Sequence, residues 1–335
     1  MFPHRARLCS GRPSRRRSLL YASVASVVLV GATSSGTLYV KAQAHDAEGL
    51  VSSSVSRGAE ASSGATTAME ATVESSAVPT AAASSRTRPS PSPVVDRDAL
   101  LAEAVKAVAV EDGAAVSVAV LDVSSGESAV YGDGAFDTAS IVKVDILASL
   151  LLRAQDAGRG LTAQEKTYAA AMIRNSDNAS ATALWTAIGQ AEGLRAANER
   201  FGLRDTEGGD GALWGLTQTT AADQLALLRQ VFGEKSELSE SSRAYLVGLM
   251  GEIAVGQDWG VSAAGSSEVA LKNGWLPRSA TGLWDINSVG RVGADGGREY
   301  LVAVLSGGNS SKEKGISVVE AAAKAAVACF DSEGD

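Results

Sequence analysis

The residues with the most chemical promise lie in the stretch 137–152, Asp-Thr-Ala-Ser-Ile-Val-Lys-Val-Asp-Ile-Leu-Ala-Ser-Leu-Leu-Leu. From Ser140 onward the apolar residues Ile141, Val144, Leu147, Ala148 and Leu151 recur at helical spacing. Asp137 and Thr138 stand where helix caps belong. Ser140 then falls at the helix N-terminus, where free N–H groups and the dipole favour developing negative charge. Lys143 follows three residues on and shares its face. A hydroxyl with an amine in reach is a nucleophile with a base, the S-x-x-K pattern. A second copy, Ser311-x-x-Lys314, lies in a polar stretch after Gly307-Gly308, where a helix start or solvated loop explains it.

The rest of the composition narrows the chemistry. The only histidines are His4 and His45, so the body after residue 95 holds no Ser-His-Asp triad and no His-ligated metal site. Any general base there is Lys, Asp, Glu or Tyr. The two cysteines, Cys9 and Cys329, are badly placed for a disulfide, and Cys329 reads as a buried thiol. Charge is uneven. Residues 1–95 carry 10 basic and 5 acidic residues, while 96–335 carry 20 and 33. An acidic body argues against a nucleic-acid partner.

Two further motifs follow Ser140 and Lys143 in order: Ser176-Asp177-Asn178 and Lys272-Asn273-Gly274. Alone, the first is an ordinary helix cap and the second an ordinary hairpin turn. Together, S-x-x-K, S-D-N and K-x-G form a specific set. On these residues and their flanks, the body resembles the class A β-lactamases and the wider β-lactamase-like serine hydrolases, penicillin-binding proteins among them. The flanks are Phe136-x-x-Ala before Ser140, 171–175 before Ser176, Trp275 after Gly274, and 215–223, similar to the segment after the family's Ω-loop. The likeness covers roughly residues 95–330.

The resemblance implies roles position by position. Ser140 is the acylated nucleophile, Lys143 its base or proton relay, and Ser176 the proton donor to the leaving nitrogen. Asn178 holds a substrate amide and Lys143. Lys272 attracts a substrate carboxylate and lowers the pKa of Lys143. Asn273 offers an amide where the family has a hydroxyl. The N–H groups of Ser140 and Trp275, beside Gly274, form the oxyanion hole. No metal or cofactor is implied. One departure stands out. The matching loop, 202–214, is short and glycine-rich and contains no Glu-x-x-x-Asn, the family's deacylation motif. Glu207 and Asp210, besides Asp205, are the only replacements there. The segment between Ser140 and Ser176 is also shorter than usual in class A enzymes. Trp214, Trp275 and Trp284 are candidate cleft residues, with Trp275 the best wall and Trp284 better suited to core packing. Arg291 is either a carboxylate ligand or a surface charge.

These residues need elements to position them. A basic start and the apolar run 19–40 read as a signal peptide or signal anchor over 1–44, with Ala42-Gln43-Ala44 a cleavage candidate. The Ser/Ala/Pro-rich residues 45–93 read as a disordered linker. The folded domain is 94–335. Helix is expected over 98–110, strand over 115–122 and a returning strand over 127–131. Helices follow from Ser140 and over 163–173, 179–188, 193–201, 220–232 and 239–251. Strands are expected over 269–272, 282–292 and 300–305, and a closing helix over 312–330. Thr162-Ala-Gln-Glu165 is a capping box. The order implies an α/β fold, with one antiparallel sheet built from both chain ends, flanking helices and an inserted helical domain.

The expected function is an extracytoplasmic, monomeric serine hydrolase acting through an acyl-enzyme on β-lactams or related amides, with slow deacylation. Its partner is a small β-lactam or a cell-wall peptide. It meets the membrane only through the N-terminal segment. The alternatives are a penicillin-binding-like D,D-peptidase and a non-catalytic cell-wall or antibiotic-binding module on the same fold.

Overall fold

A computed structural model describes residues 95–330. The expected leader and linker lie outside the described residues. The first helix, α1 (Arg97–Val105), is capped by Asp96, whose side chain accepts from the Ala99 N–H. It ends earlier than the sequence pattern suggests. Residues 104–108 tighten into turn bonds, and Val108 packs on the sheet instead of continuing the helix.

Strands β1 (Ala115–Asp122) and β2 (Ser128–Tyr131) form the expected hairpin. Beyond β1 lie β7 (Glu299–Asn309), β6 (Trp284–Gly293) and β5 (Val269–Pro277), in the order β2-β1-β7-β6-β5, all antiparallel. The sheet is thus assembled from both chain ends. Side chains alternate across it. In β7, Tyr300, Val302 and Val304 face a core shared with α1 and the closing helix α8 (Lys312–Ala328). Leu301, Ala303 and Leu305 face the other way, into the helical layer. With both faces covered, the central strand is apolar almost throughout.

The helical layer consists of α2 (Val142–Asp156), α3 (Ala163–Arg174), α4 (Asn178–Ile188), α5 (Gln190–Phe201), α6 (Ala221–Phe232) and α7 (Glu240–Met250). Helix α2 runs through its centre and is buried on every side from Val142 to Leu152, Lys143 and Asp145 included. The capping box forms as expected. Glu165 N–H donates to Thr162 Oγ1 at 3.1 Å and Thr162 N–H to Glu165 Oε2 at 2.7 Å.

Two expectations fail near Ser140. Asp137 and Thr138 do not cap α2, which has no side-chain cap. Asp137 belongs to a two-residue strand, β3 (Phe136–Asp137), paired with β4 (Gln218–Thr219), and its carboxylate bonds Gln218 and Arg278. Strands this short leave no periodicity to read. Lys272-Asn273-Gly274 does not end a strand; β5 runs through it to Pro277.

Candidate active site

Ser140 sits in a 3-10 turn, Ala139–Ile141, that leads directly into α2. Three features hold this turn. Ala139 has a positive φ of 48°, a costly conformation for a side-chain-bearing residue that survives only where its surroundings dictate it. Gly274 of β5 presses on the same turn. A Cβ there would lie 2.7 Å from Thr138 O and 2.8 Å from Ser140 N. The buried Asn287 of β6 donates its amide to the carbonyls of Asp137 (2.9 Å) and Thr138 (3.1 Å). Its Oδ1 accepts from Ser306 N–H at 3.2 Å. Ser140 itself is half-exposed, with its turn backed by the edge strand β5.

One turn along α2, the fully buried Lys143 Nζ lies 2.7 Å from Ser176 O, 3.1 Å from Ser176 Oγ and 2.8 Å from Asn178 Oδ1. Ser176 also has a positive φ, 55°, and stands just before α4, which Asp177 caps through Ser180 N–H at 2.7 Å. Lys272 Nζ reaches the same Ser176 Oγ at 3.1 Å and the Asn273 carbonyl at 2.8 Å. Ser176 Oγ therefore bridges two lysines. Neither amine has an ion-pair partner among the described residues, while both are removed from water. Burial pushes Lys143 down to about 7, against the opposing pull of Asp177. Burial, then the nearness of Lys143, holds Lys272 well below the usual lysine range. Burial is the leading cause for both amines, and their nearness disfavours charging both at once.

Donor counting gives this cluster a direction. A neutral Lys143 donates its two N–H groups to Ser176 O and Asn178 Oδ1. Its lone pair is left to accept from a hydroxyl. A protonated Lys143 donates to all three neighbours, which frees the Ser176 proton for another acceptor. The arrangement can take a proton from a serine and release one at Ser176.

The structure joins Lys143, Ser176, Asn178 and Lys272 in one hydrogen-bonded cluster and sets Gly274 against the backbone of Ser140, one helical turn before Lys143, and it turns two expected site residues away. Asn273 is buried and spends its amide on the carbonyls of Gln257 and Trp259, both at 2.8 Å. That loop in turn bonds Asn175 and Arg174 ahead of Ser176. Asn273 thus braces the site rather than lining it. Trp275 is not a cleft wall. Its ring packs on the α8 side, 6.1 Å from the Trp259 ring and 4.6 Å from Lys312 Nζ. Strand alternation explains both: Lys272 and Gly274 face the site, so Asn273 and Trp275 face away. Only the Trp275 backbone remains available.

Other candidates settle as follows. Arg291 lies over the Phe232 ring and pairs with Glu299 at 3.5 Å, away from the lysines. Trp284 packs against the α8-side core. Glu207 pairs its backbone with Gln218 in both directions at 2.9 Å. With Asp210, it lines a groove against Ala191, Arg195 and Asn198 of α5 that includes none of Ser140, Lys143 or Ser176. Ser311 caps α8 by accepting from Lys314 N–H. The sequence reading missed Asn287, although a lone amide inside a strand, between Ile286 and Ser288, was a visible signal. It also missed the contact of Trp214 with Lys143, for which no local pattern exists.

A five-stranded antiparallel sheet between helical layers, with a serine–lysine pair at the start of the central helix, defines the β-lactamase-like fold class. Comparison with known proteins agrees. Residues 159–330 match the model of the Beta-lactamase enzyme family, and the chain belongs to that family. The matched span contains Ser176 and Lys272 and begins after Ser140. A Mycobacterium tuberculosis protein named as a lipoprotein, LppW, is 25% identical over 202 residues. The alignment spans 58% of this chain and 63% of that protein's length. A mutant of PBP-A, solved as an acyl-enzyme complex with penicillin G, aligns with a TM-score of 0.60 at 20% identity, covering 70% of this chain and 97% of that one. A class A β-lactamase from Bacteroides cellulosilyticus aligns with a TM-score of 0.60 at 16% identity, covering 71% and 99%. At such identities these structures share the fold.

Proposed function

We propose that this chain is an extracytoplasmic serine hydrolase of the β-lactamase type, acting through an acyl-enzyme on Ser140. The observation that carries the reading is Ser176 Oγ bridging Lys143 and Lys272, with Lys143 brought to about 7 by burial. Ser140 Oγ attacks the amide carbonyl and passes its proton to neutral Lys143, directly or through Ser176. The N–H groups of Ser140 and Trp275 receive the oxyanion; a donor of this kind contributes roughly 100- to 1,000-fold in rate. The C–N bond breaks, and the leaving nitrogen takes the Ser176 proton, which Lys143 replaces. Asn178 orients Lys143 and the substrate amide, and Lys272 draws in a carboxylate. The substrate is a β-lactam or a related cell-wall peptide, a choice supported by the penicillin G bound in the PBP-A complex.

Glu207 and Asp210 line a groove against α5 that includes none of Ser140, Lys143 and Ser176, which supports a second step without either as base and a turnover limited by deacylation. The same observation favours a second reading, a D,D-peptidase-like acyl transfer to an acceptor other than water. A non-catalytic module is disfavoured, because a binder has no need of two buried, unpaired lysines. Location outside the cytoplasm rests on the basic start, the apolar run 19–40 and the lipoprotein name of LppW. Intact mass spectrometry of the chain with penicillin G over time tests the reading. A persistent mass gain on Ser140 is expected. A gain that vanishes within the dead time means fast hydrolysis, and no gain at all overturns the acyl-enzyme.

A further inference from the structure

Lys143 has one neighbour beyond its three hydrogen-bond partners. The Trp214 ring centroid lies 4.8 Å from Nζ. The indole N–H donates to Thr182 Oγ1 of α4 at 3.1 Å. Trp214 opens a short 3-10 turn, Trp214–Leu216, closed by Leu216 N–H to Leu213 O at 2.8 Å and Thr217 N–H to Trp214 O at 3.2 Å. This turn rests on the nucleophile turn: a Cβ on Gly215 would lie 4.0 Å from Ala139 Cα. The ring is thus held by α4, by its own turn and by the segment carrying Ser140.

We propose that Trp214 sets the lifetime of the acyl-enzyme, by covering Lys143 and keeping water from its Nζ once Ser140 is acylated. The proposal rests on the acyl-enzyme reading above. Hydrolysis of the ester requires a water oxygen to bond the acyl carbon and yield a proton to a base. The C–Oγ bond then breaks and Ser140 Oγ recovers a proton. After acylation the proton taken from Ser140 has passed through Lys143 and Ser176 to the leaving nitrogen, so Lys143 is again a neutral amine. Its amine lies over the face of the Trp214 ring. The same face offers no strong acceptor to hold a water beside Nζ. Lys143 therefore stays dry, and Glu207 and Asp210 line a groove against α5 that does not include it. Trp214 acts here as a positioning residue.

The test compares full-length wild type, Trp214→Ala and Trp214→Phe after labelling with penicillin G, following acyl-enzyme decay by intact mass from pH 6 to 9. Loss of the ring should shorten the lifetime by at least about tenfold, a modest fraction of what a freed general base contributes. The decay of Trp214→Ala should also accelerate as pH rises. Trp214→Phe keeps a ring face and should stay within about threefold of wild type, with a flat profile. If Trp214→Ala does not fold, Trp214→Gln, which keeps more of the bulk, takes its place with the same expectation. Equal lifetimes in wild type and the ring-less variant, or equal shortening in Trp214→Phe, overturn this proposal alone. An unlabelled wild type overturns the acyl-enzyme reading beneath it.

Discussion

Lys143 is surrounded by a carbonyl, a hydroxyl, an amide oxygen and an indole face, and pairs with no carboxylate among the described residues. An ammonium so placed gives up its proton near neutrality, because burial disfavours the charged form. Only the neutral amine accepts a proton from Ser140. The rate of acylation should therefore climb as pH rises through about 7 and level off above it. Stopped-flow labelling with a chromogenic cephalosporin across pH 5.5–9 measures this; a profile flat through neutrality would exclude Lys143 as the base. The two S-x-x-K copies separate cleanly at this scale. Ser140→Ala should abolish labelling. Ser311 caps α8, so Ser311→Ala should cost about 1 kcal/mol of stability and leave labelling intact. Mass spectrometry and thermal melts of both variants check the pair.

Two elements converge on the nucleophile turn, and their fit is tighter than the motif alone conveys. Strand β5 brings Gly274 against the backbone of Thr138 and Ser140, where no methyl group fits. Strand β6 supplies Asn287, which ties down the carbonyls just before Ala139. Gly274→Ala would push β5 and the turn apart, displacing Ser140 N–H from its place beside the strand. Acylation should fall by roughly 100-fold or more, the scale on which misplacing reacting groups by an ångström acts. Far-UV circular dichroism should stay native, since the sheet ladder is not interrupted. A variant that acylates at the wild-type rate would show that the turn yields more than close packing allows.

At the scale of the whole domain, the site lies where the sheet edge meets a helix buried on all sides, and this burial affects stability as well as chemistry. Asp145, on α2 near Lys143, is pushed up to about 7 by burial, with Asp223 adding to it. The folded chain thus holds a proton that the unfolded chain releases from about pH 4 upward. Stability from this group is full below the unfolded pKa of 3.8 and declines as pH rises to about 7. Lys143 and Lys272 act in the opposite sense. The unfolded chain binds their protons up to 10.5, so for Lys143 folding regains stability as pH rises above about 7, and Lys272, also held below its usual range, acts in the same direction. Asp145→Asn should raise the melting temperature at pH 7.5 and leave it nearly unchanged at pH 4. Calorimetry at both values decides this. An equal effect at both would point to packing rather than titration.

The sequence alone determined the order of the three motifs, the exclusion of histidine chemistry, and a sheet drawn from both chain ends around a helical middle. Apolar periodicity and caps such as Thr162 and Glu165 are local, so they survive reading in one dimension. Only the tertiary structure decided which way β5 faces. Alternation makes Lys272 and Gly274 share a side, but the pairing of β5 with β6 and its packing on the Ser140 turn set that side, leaving Asn273 and Trp275 on the other. The short β3–β4 pair, the strained Ala139, the depressed Lys143 and the Trp214 ring above it are likewise products of packing. Each depends on residues distant in the chain and close in space, where burial and contact, not spacing, fix conformation and charge.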